Sequence, residues 1–245
     1  MNPLILFSGG LDSTYMLQQY LQKGSVDVMY INAGQDEEKM KLELRQRQVI
    51  LEKFSEFYPY KVQAQYERLK STQLQGDNTK WSQVAPWLFG ALAIADSARH
   101  SKLMIGYVSD DGAYFGSHLR YIEDAWYNLQ KVSCVNDPIP IEFPLLGMTK
   151  VDILRDLDKR VLNDIWICET PTNEKHCGKC KPCITMTRVL SDYKIRHKET
   201  VFATARRALI PHKFPVDRYP GPMDKDHNHY VFNMAGPDYY KIPRH

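Results

Sequence analysis

The chain has 245 residues, 43% of them hydrophobic and 25% charged, enough to bury the core of one α/β domain with a small appendage. A formal charge of +3 is too mild to argue for nucleic acid, and no apolar run approaches the length of a membrane span. Five cysteines, four of them clustered, fit a reducing compartment and a bound metal better than a disulfide framework.

The N-terminus enters an apolar run without a basic region or cleavage site, so a cytoplasmic protein is expected. Leu4 to Phe7 predicts a first strand, and Tyr15, Met16, Leu17, Tyr20 and Leu21 predict a helix to about Lys23. Val26 to Ile31 reads as a second strand. A long charged helix follows from about Glu37 to Phe57, with Leu42, Val49, Ile50 and Phe54 on one side. Tyr60 to Ala64 is a candidate third strand, and the polar stretch from Arg68 to Trp81 is a mobile loop or a lid. Val84 to Arg99 predicts a helix, Lys102 to Tyr107 a fourth strand, and Ile122 to Val132 a further helix. Ile141 to Leu145 is a short extended segment, and Thr149 to Leu157 is again helical. The alternation implies an α/β fold: an open, mainly parallel sheet with helices on both faces. Three regions are expected: an α/β domain over 1–160, a cysteine-bearing helical region over 161–210, and a Pro/aromatic arm over 211–245. Ligands of such sheets sit beyond the carboxyl ends of the strands. The loops Ser8–Ser13, Asn32–Gln35, Val108–Arg120 and Gly147–Lys150 should therefore converge.

The segment Ser8-Gly9-Gly10-Leu11-Asp12-Ser13-Thr14 stands between the first strand and the first helix. Two glycines let backbone approach a ligand, and the first helical amides lack intrahelical partners. With the helix dipole they form an anion site, lined here by the Ser8, Ser13 and Thr14 hydroxyls. The segment lacks the Walker lysine and the three-glycine dinucleotide spacing. An ordinary glycine turn is the competing reading.

Cys168, Cys177, Cys180 and Cys183 form C-x8-C-x2-C-x2-C, a spacing that can surround one tetrahedral Zn²⁺ with no open position. An iron–sulfur cluster and a redox pair are rival readings. His176 could replace a ligand, though four cysteines make that unnecessary, and Cys134 lies outside the cluster.

The glycine segment resembles the PP-loop, SGGxDST, of N-type ATP pyrophosphatases. Together with the cysteines it resembles the 7-cyano-7-deazaguanine synthase (QueC-like) family over roughly residues 3–195. Gly34-Gln35 is similar to the family's YGQ, and Phe143-Pro144-Leu145 followed by Lys150 to its ETPL…K segment. The resemblance implies ATP-dependent adenylation of a carboxylate, attack by ammonia, and a second activation giving a nitrile. It also implies ATP, Mg²⁺ and structural Zn²⁺ as cofactors, a deazapurine carboxylate as substrate, a homodimer, and no direct contact with nucleic acid or membrane.

On this resemblance Ser8, Gly9, Gly10, Leu11, Ser13 and Thr14 hold the pyrophosphate, with Ser13, Asp12 and Lys150 at the chemistry. Asp12 caps the helix or helps hold Mg²⁺, and Lys150 is a second phosphate contact. Backbone groups near Phe7, Ile31 and Asn32 take adenine. Gln35, Asp110, Asp111, Tyr114 and Phe115 form the acceptor side: carboxylates accept N–H bonds and an aromatic ring stacks on the acceptor. The chain departs from the family there. Val84-Ala85-Pro86-Trp87-Leu88 replaces V-P-G-R-N, and the cysteine–glutamate pair after the fourth strand is missing. A QueC-like enzyme of modified-DNA synthesis or antiviral defence acting on another carboxylate therefore stays open. So do a tRNA-modifying adenylase and a zinc-stabilised binding protein without catalysis.

Overall fold

Alternation along Asn2–Leu6 (β1) turns Ile5 to one face of a sheet and Leu4 and Leu6 to the other. The computed structural model describes residues 1–32, 37–68, 84–95, 98–111 and 115–197. Gln35, Tyr114, nearly all of the 68–81 loop and the 211–245 arm lie outside the described residues. Among the described residues, β1 pairs with Val26–Ile31 (β2) and His100–Met104 (β4). Val62–Arg68 (β3) and Ile141–Glu142 (β5) complete a sheet in the order β3-β2-β1-β4-β5, every pairing parallel. The expected open parallel sheet is thus present.

Helices cover both faces, as parallel strands require. Leu11–Leu21 (α1), Glu37–Phe57 (α2), Lys150–Asp156 (α5) and Lys181–His197 (α6) pack with Ile5, Phe7 and Val28 on one face. Val84–Leu92 (α3) and Phe115–Val132 (α4) pack with Leu4, Leu6, Met29 and Ile31 on the other. Met186, Val189, Leu190 and Tyr193 of α6 join the first core, so the cysteine-bearing region is continuous with the α/β layer.

Several boundaries differ from the sequence expectation. The third strand runs over Val62–Arg68 rather than 60–64 because its register on β2 carries it out to Ile31. The helix from Val84 stops at Leu92, seven residues early, and β4 begins at His100 instead of Lys102. Tertiary contacts outweigh local propensity there: buried His100 bonds Asp27 at 3.1 Å. Helix α4 starts at Phe115, ahead of the apolar periodicity that announces it at Ile122.

From β1 the chain moves outward through β2 to β3, then crosses back to place β4 on the other side of β1. The crevice between β1 and β4 is the topological switch point, where open α/β sheets bind ligands. Helices α1 and α5 flank it, and one buried amide ties them together. Gln18 donates to Asp156 O at 3.0 Å and accepts from Asp158 N at 2.7 Å. Gln18→Ala is expected to lower stability by about 1–3 kcal/mol, because two backbone groups lose their partner. Chemical denaturation of the purified variant measures it.

Candidate active site

Beyond β1 the backbone makes a tight turn at Gly9, whose φ of 78° lies in the left-handed region. A Cβ built there would stand 2.9 Å from Arg47 Cγ, so glycine is required on two counts. Arg47 lies buried under the turn, donating from Nε to Phe7 O at 2.7 Å. Hydroxyls brace the loop from inside: Gly10 N–H donates to Ser8 Oγ and Ser8 N–H to Ser13 Oγ, both at 3.3 Å. Gly10 caps α1 without a side-chain bond, and the helical ladder opens with Thr14 N–H donating to Gly10 O at 3.0 Å. The amides of Leu11, Asp12 and Ser13 therefore precede any helical partner, the arrangement an anion needs.

Lys150 opens α5 after a Thr149–Asp152 capping box. Its Nζ lies 2.7 Å from Asp12 Oδ2 and 2.6 Å from Asp111 Oδ1. Asp110 accepts from the Lys150 backbone N–H at 2.7 Å, and Asp111 also accepts from Val108 N–H. Burial works against the charged lysine, but the two carboxylates outweigh it and raise its pKa. Burial pushes the Asp12 carboxyl up to about 6 despite Lys150. Asp12 Oδ1 is buried without a hydrogen-bond partner among the described residues. An orphaned carboxylate oxygen beside a phosphate cradle fits a divalent cation.

These groups open into a cavity of about 440 Å³ above the sheet. Ser8, Gly10, Leu11, Asp12, Ser13, Ile31, Asp110, Asp111 and Lys150 all line it. Other expected site residues do not. The Phe7 side chain is fully buried, its N–H bonds Met29 O and its C=O is taken by Arg47. Thr14 is fully buried behind the turn, and buried Asn32 bonds Met40 Sδ. The Phe7 backbone groups are thus already used inside the fold, the Asn32 side chain is held by Met40, and the Thr14 side chain is turned into the core, its hydroxyl without a hydrogen-bond partner among the described residues. Asp110 and Asp111, expected on the acceptor side, line the cavity and hold Lys150. Gln35 and Tyr114 fall outside the described residues, and Phe115 is the first residue of α4.

Reasoning from sequence missed the opposite wall. Tyr30, Lys39, Glu43, Trp87, Trp166 and Lys181 also line the cavity. The only signal for Tyr30 and Glu43 is their position, at the end of a strand and on the helix that follows it.

The four expected cysteines converge, with sulfurs all within 4.8 Å of one another. Cys180 and Cys168 Sγ are 3.9 Å apart, near the roughly 3.8 Å that four sulfurs around one Zn²⁺ would show. Backbone N–H groups point at the sulfurs: Cys177 to Cys168 at 3.2 Å, Lys179 and Cys180 to Cys177 at 3.3 Å. Burial opposes the Cys177 thiolate, but the Thr170 hydroxyl and these amides bring its pKa down to about 6. The donor set fits a metal ion. His176 is no part of it: burial lowers its pKa to about 4, and its ring stacks on Trp166 at 4.3 Å. The module touches the phosphate loop directly, through Trp166 N–H to Gly9 O at 3.0 Å.

The U34-tRNA thiolase NcsA from Methanococcus maripaludis, solved with its [4Fe-4S] cluster, aligns with a TM-score of 0.45 and 15% identity. That alignment covers 87% of this chain and 73% of the thiolase. No curated protein matches the chain. The family model described as queuosine biosynthesis protein QueC matches residues 2–194, and the chain therefore belongs to the QueC family.

Proposed function

We propose that the protein uses ATP to adenylate the carboxylate of a deazapurine, and that ammonia then displaces AMP. The substrate that fits the family best is 7-carboxy-7-deazaguanine. Attack of its carboxylate oxygen on the α-phosphorus releases pyrophosphate and forms an acyl adenylate. Ammonia adds to the acyl carbon, AMP leaves, a proton is lost and the amide forms. A second ATP activates the amide oxygen, and loss of AMP leaves the nitrile. The two acceptor oxygens depart on the two AMP molecules, so no water enters the balance.

The observation that carries this reading is the phosphate loop and the Asp12–Lys150–Asp111 cluster side by side on one cavity. Family membership supports an ATP-using enzyme of the adenylating kind. The loop amides and the Ser8 and Ser13 hydroxyls would hold the leaving pyrophosphate. Lys150 would swing from its carboxylates onto a phosphate oxygen, and Asp12 with Asp111 would hold Mg²⁺, which offsets pyrophosphate charge when bound. Rate would come from positioning and charge neutralisation, because AMP is already a good leaving group.

Zinc is the metal we propose for the cysteine site. A single ion bound by all four thiolates suits sulfurs within 4.8 Å, whereas thiolates on separate irons of a cubane stand further apart. A closed Cys₄ site leaves no ligand to exchange, so the ion would be structural.

Incubation with ATP, Mg²⁺, ammonia and 7-carboxy-7-deazaguanine should give AMP, pyrophosphate and either the amide or the nitrile by mass spectrometry. Absence of AMP with any deazapurine acid would sink the acceptor. Lys150→Met should cut kcat/KM by about 100- to 1000-fold while the protein stays folded. Metal analysis should find stoichiometric zinc, reduced in Cys168→Ser together with the thermal midpoint. Stoichiometric iron with visible absorption would replace zinc by a cluster.

A further inference from the structure

The phosphate loop and Lys150 account for one side of the cavity, leaving its far wall without a role. That wall is built by the end of β2, the start of α2 and the metal module. Glu43 is its most unusual member: 6% exposed, on a cleft-facing turn of an otherwise charged helix. Its Oε2 accepts the Tyr30 hydroxyl at 2.6 Å, and its Oε1 lies 3.6 Å from Lys39 Nζ. A carboxylate offers about four acceptor positions, and these two groups hold it in one orientation without filling them. Burial raises the Glu43 pKa against the pull of Lys39, Tyr30 and Arg47, so its ionised form gains from further donors. The buried Trp166 ring, stacked on His176, lines the same cavity.

We infer that Glu43 is the specificity residue for the acceptor, reading the paired N–H donors of a 2-amino-4-oxopyrimidine edge. The inference rests on the adenylating reading above and names the part of the acceptor that is recognised. A guanine-type edge presents a ring N–H beside an exocyclic amine, and both can donate to one carboxylate in parallel. Adenine presents an acceptor beside its amine, so Glu43 would reject the base of ATP from this compartment. Asp110 and Asp111 cannot serve as easily, since Lys150 engages both. Glu43 thereby takes the recognition task that sequence alone places on them.

The test uses the full chain, wild type and Glu43→Gln, in calorimetric titrations with 7-carboxy-7-deazaguanine and its analogue lacking the 2-amino group. Wild type is expected to prefer the parent compound by about 10- to 100-fold, since losing one donor leaves a buried carboxylate short of a partner. In Glu43→Gln the parent should bind about 10- to 100-fold more weakly and the preference should collapse toward one, with ATP affinity unchanged. Glu43→Asp withdraws the carboxylate by one methylene; it should give the same collapse and covers the case in which the amide variant does not fold. Tyr30→Phe keeps the carboxylate and should keep the preference. An unchanged preference in both Glu43 variants overturns the inference and leaves the adenylating reading intact. Wild type that binds ATP but neither acid overturns the deazaguanine acceptor itself, and this inference with it.

Discussion

The half-buried ammonium of Lys150 between Asp12 and Asp111 is the contact on which the site depends. It joins three elements far apart in sequence: the start of α1, the turn after β4 and the start of α5. Charges so shielded from water are costly singly and stable only as a set, so removing one partner strands the others. Asp12 shows the tension most clearly, because burial raises its pKa even with the lysine in contact. A cluster poised this way suits triphosphate chemistry. Incoming phosphate oxygens can replace the carboxylates as partners of Lys150, and the released carboxylates can meet a divalent cation.

A second constraint works from beneath. Arg47 fills the space under Gly9, holds the Phe7 carbonyl, and lies over the Phe7 and Tyr30 rings at 5.3 and 4.8 Å. Trp166 grips the same turn from the metal module through the Gly9 carbonyl. The module in turn is fastened to α2, where Glu38 accepts from Glu174 N–H at 3.0 Å and Leu42 packs with Cys168 and Cys183. The cysteine module is thus a brace for the loop. Losing the ion would loosen Trp166, and with it both the phosphate turn and the far wall of the cleft.

What the sequence makes legible follows from how local each signal is. The glycine turn, its flanking strand and helix, and the short helix that opens after Thr149 are encoded within a few residues, and each lies where expected. The cysteines are equally readable, because metal chemistry restricts both residue type and spacing. The ends of α3 and β4 are not local, since His100 is drawn into place by Asp27, 73 residues away. Phe7 and Thr14 look like ligand contacts in a linear motif, yet strand alternation and helix rotation turn them into the core.

Helix α2 carries the strongest case of a hidden role. Lys39, Glu43 and Arg47 recur every fourth residue among other charges, a pattern that reads as a solvated surface. Only the sheet order reveals otherwise, by laying that stripe across the end of β2 beneath the metal module. The same stripe turns apolar at Ile50, Leu51 and Phe54, so one helix face changes from site to core along its length. Burying Lys39 and Glu43 beside the cleft, with Arg47 beneath the phosphate turn, costs stability that an apolar stripe would not. A cost of that kind fits charges that meet a ligand, which is the task proposed for Glu43.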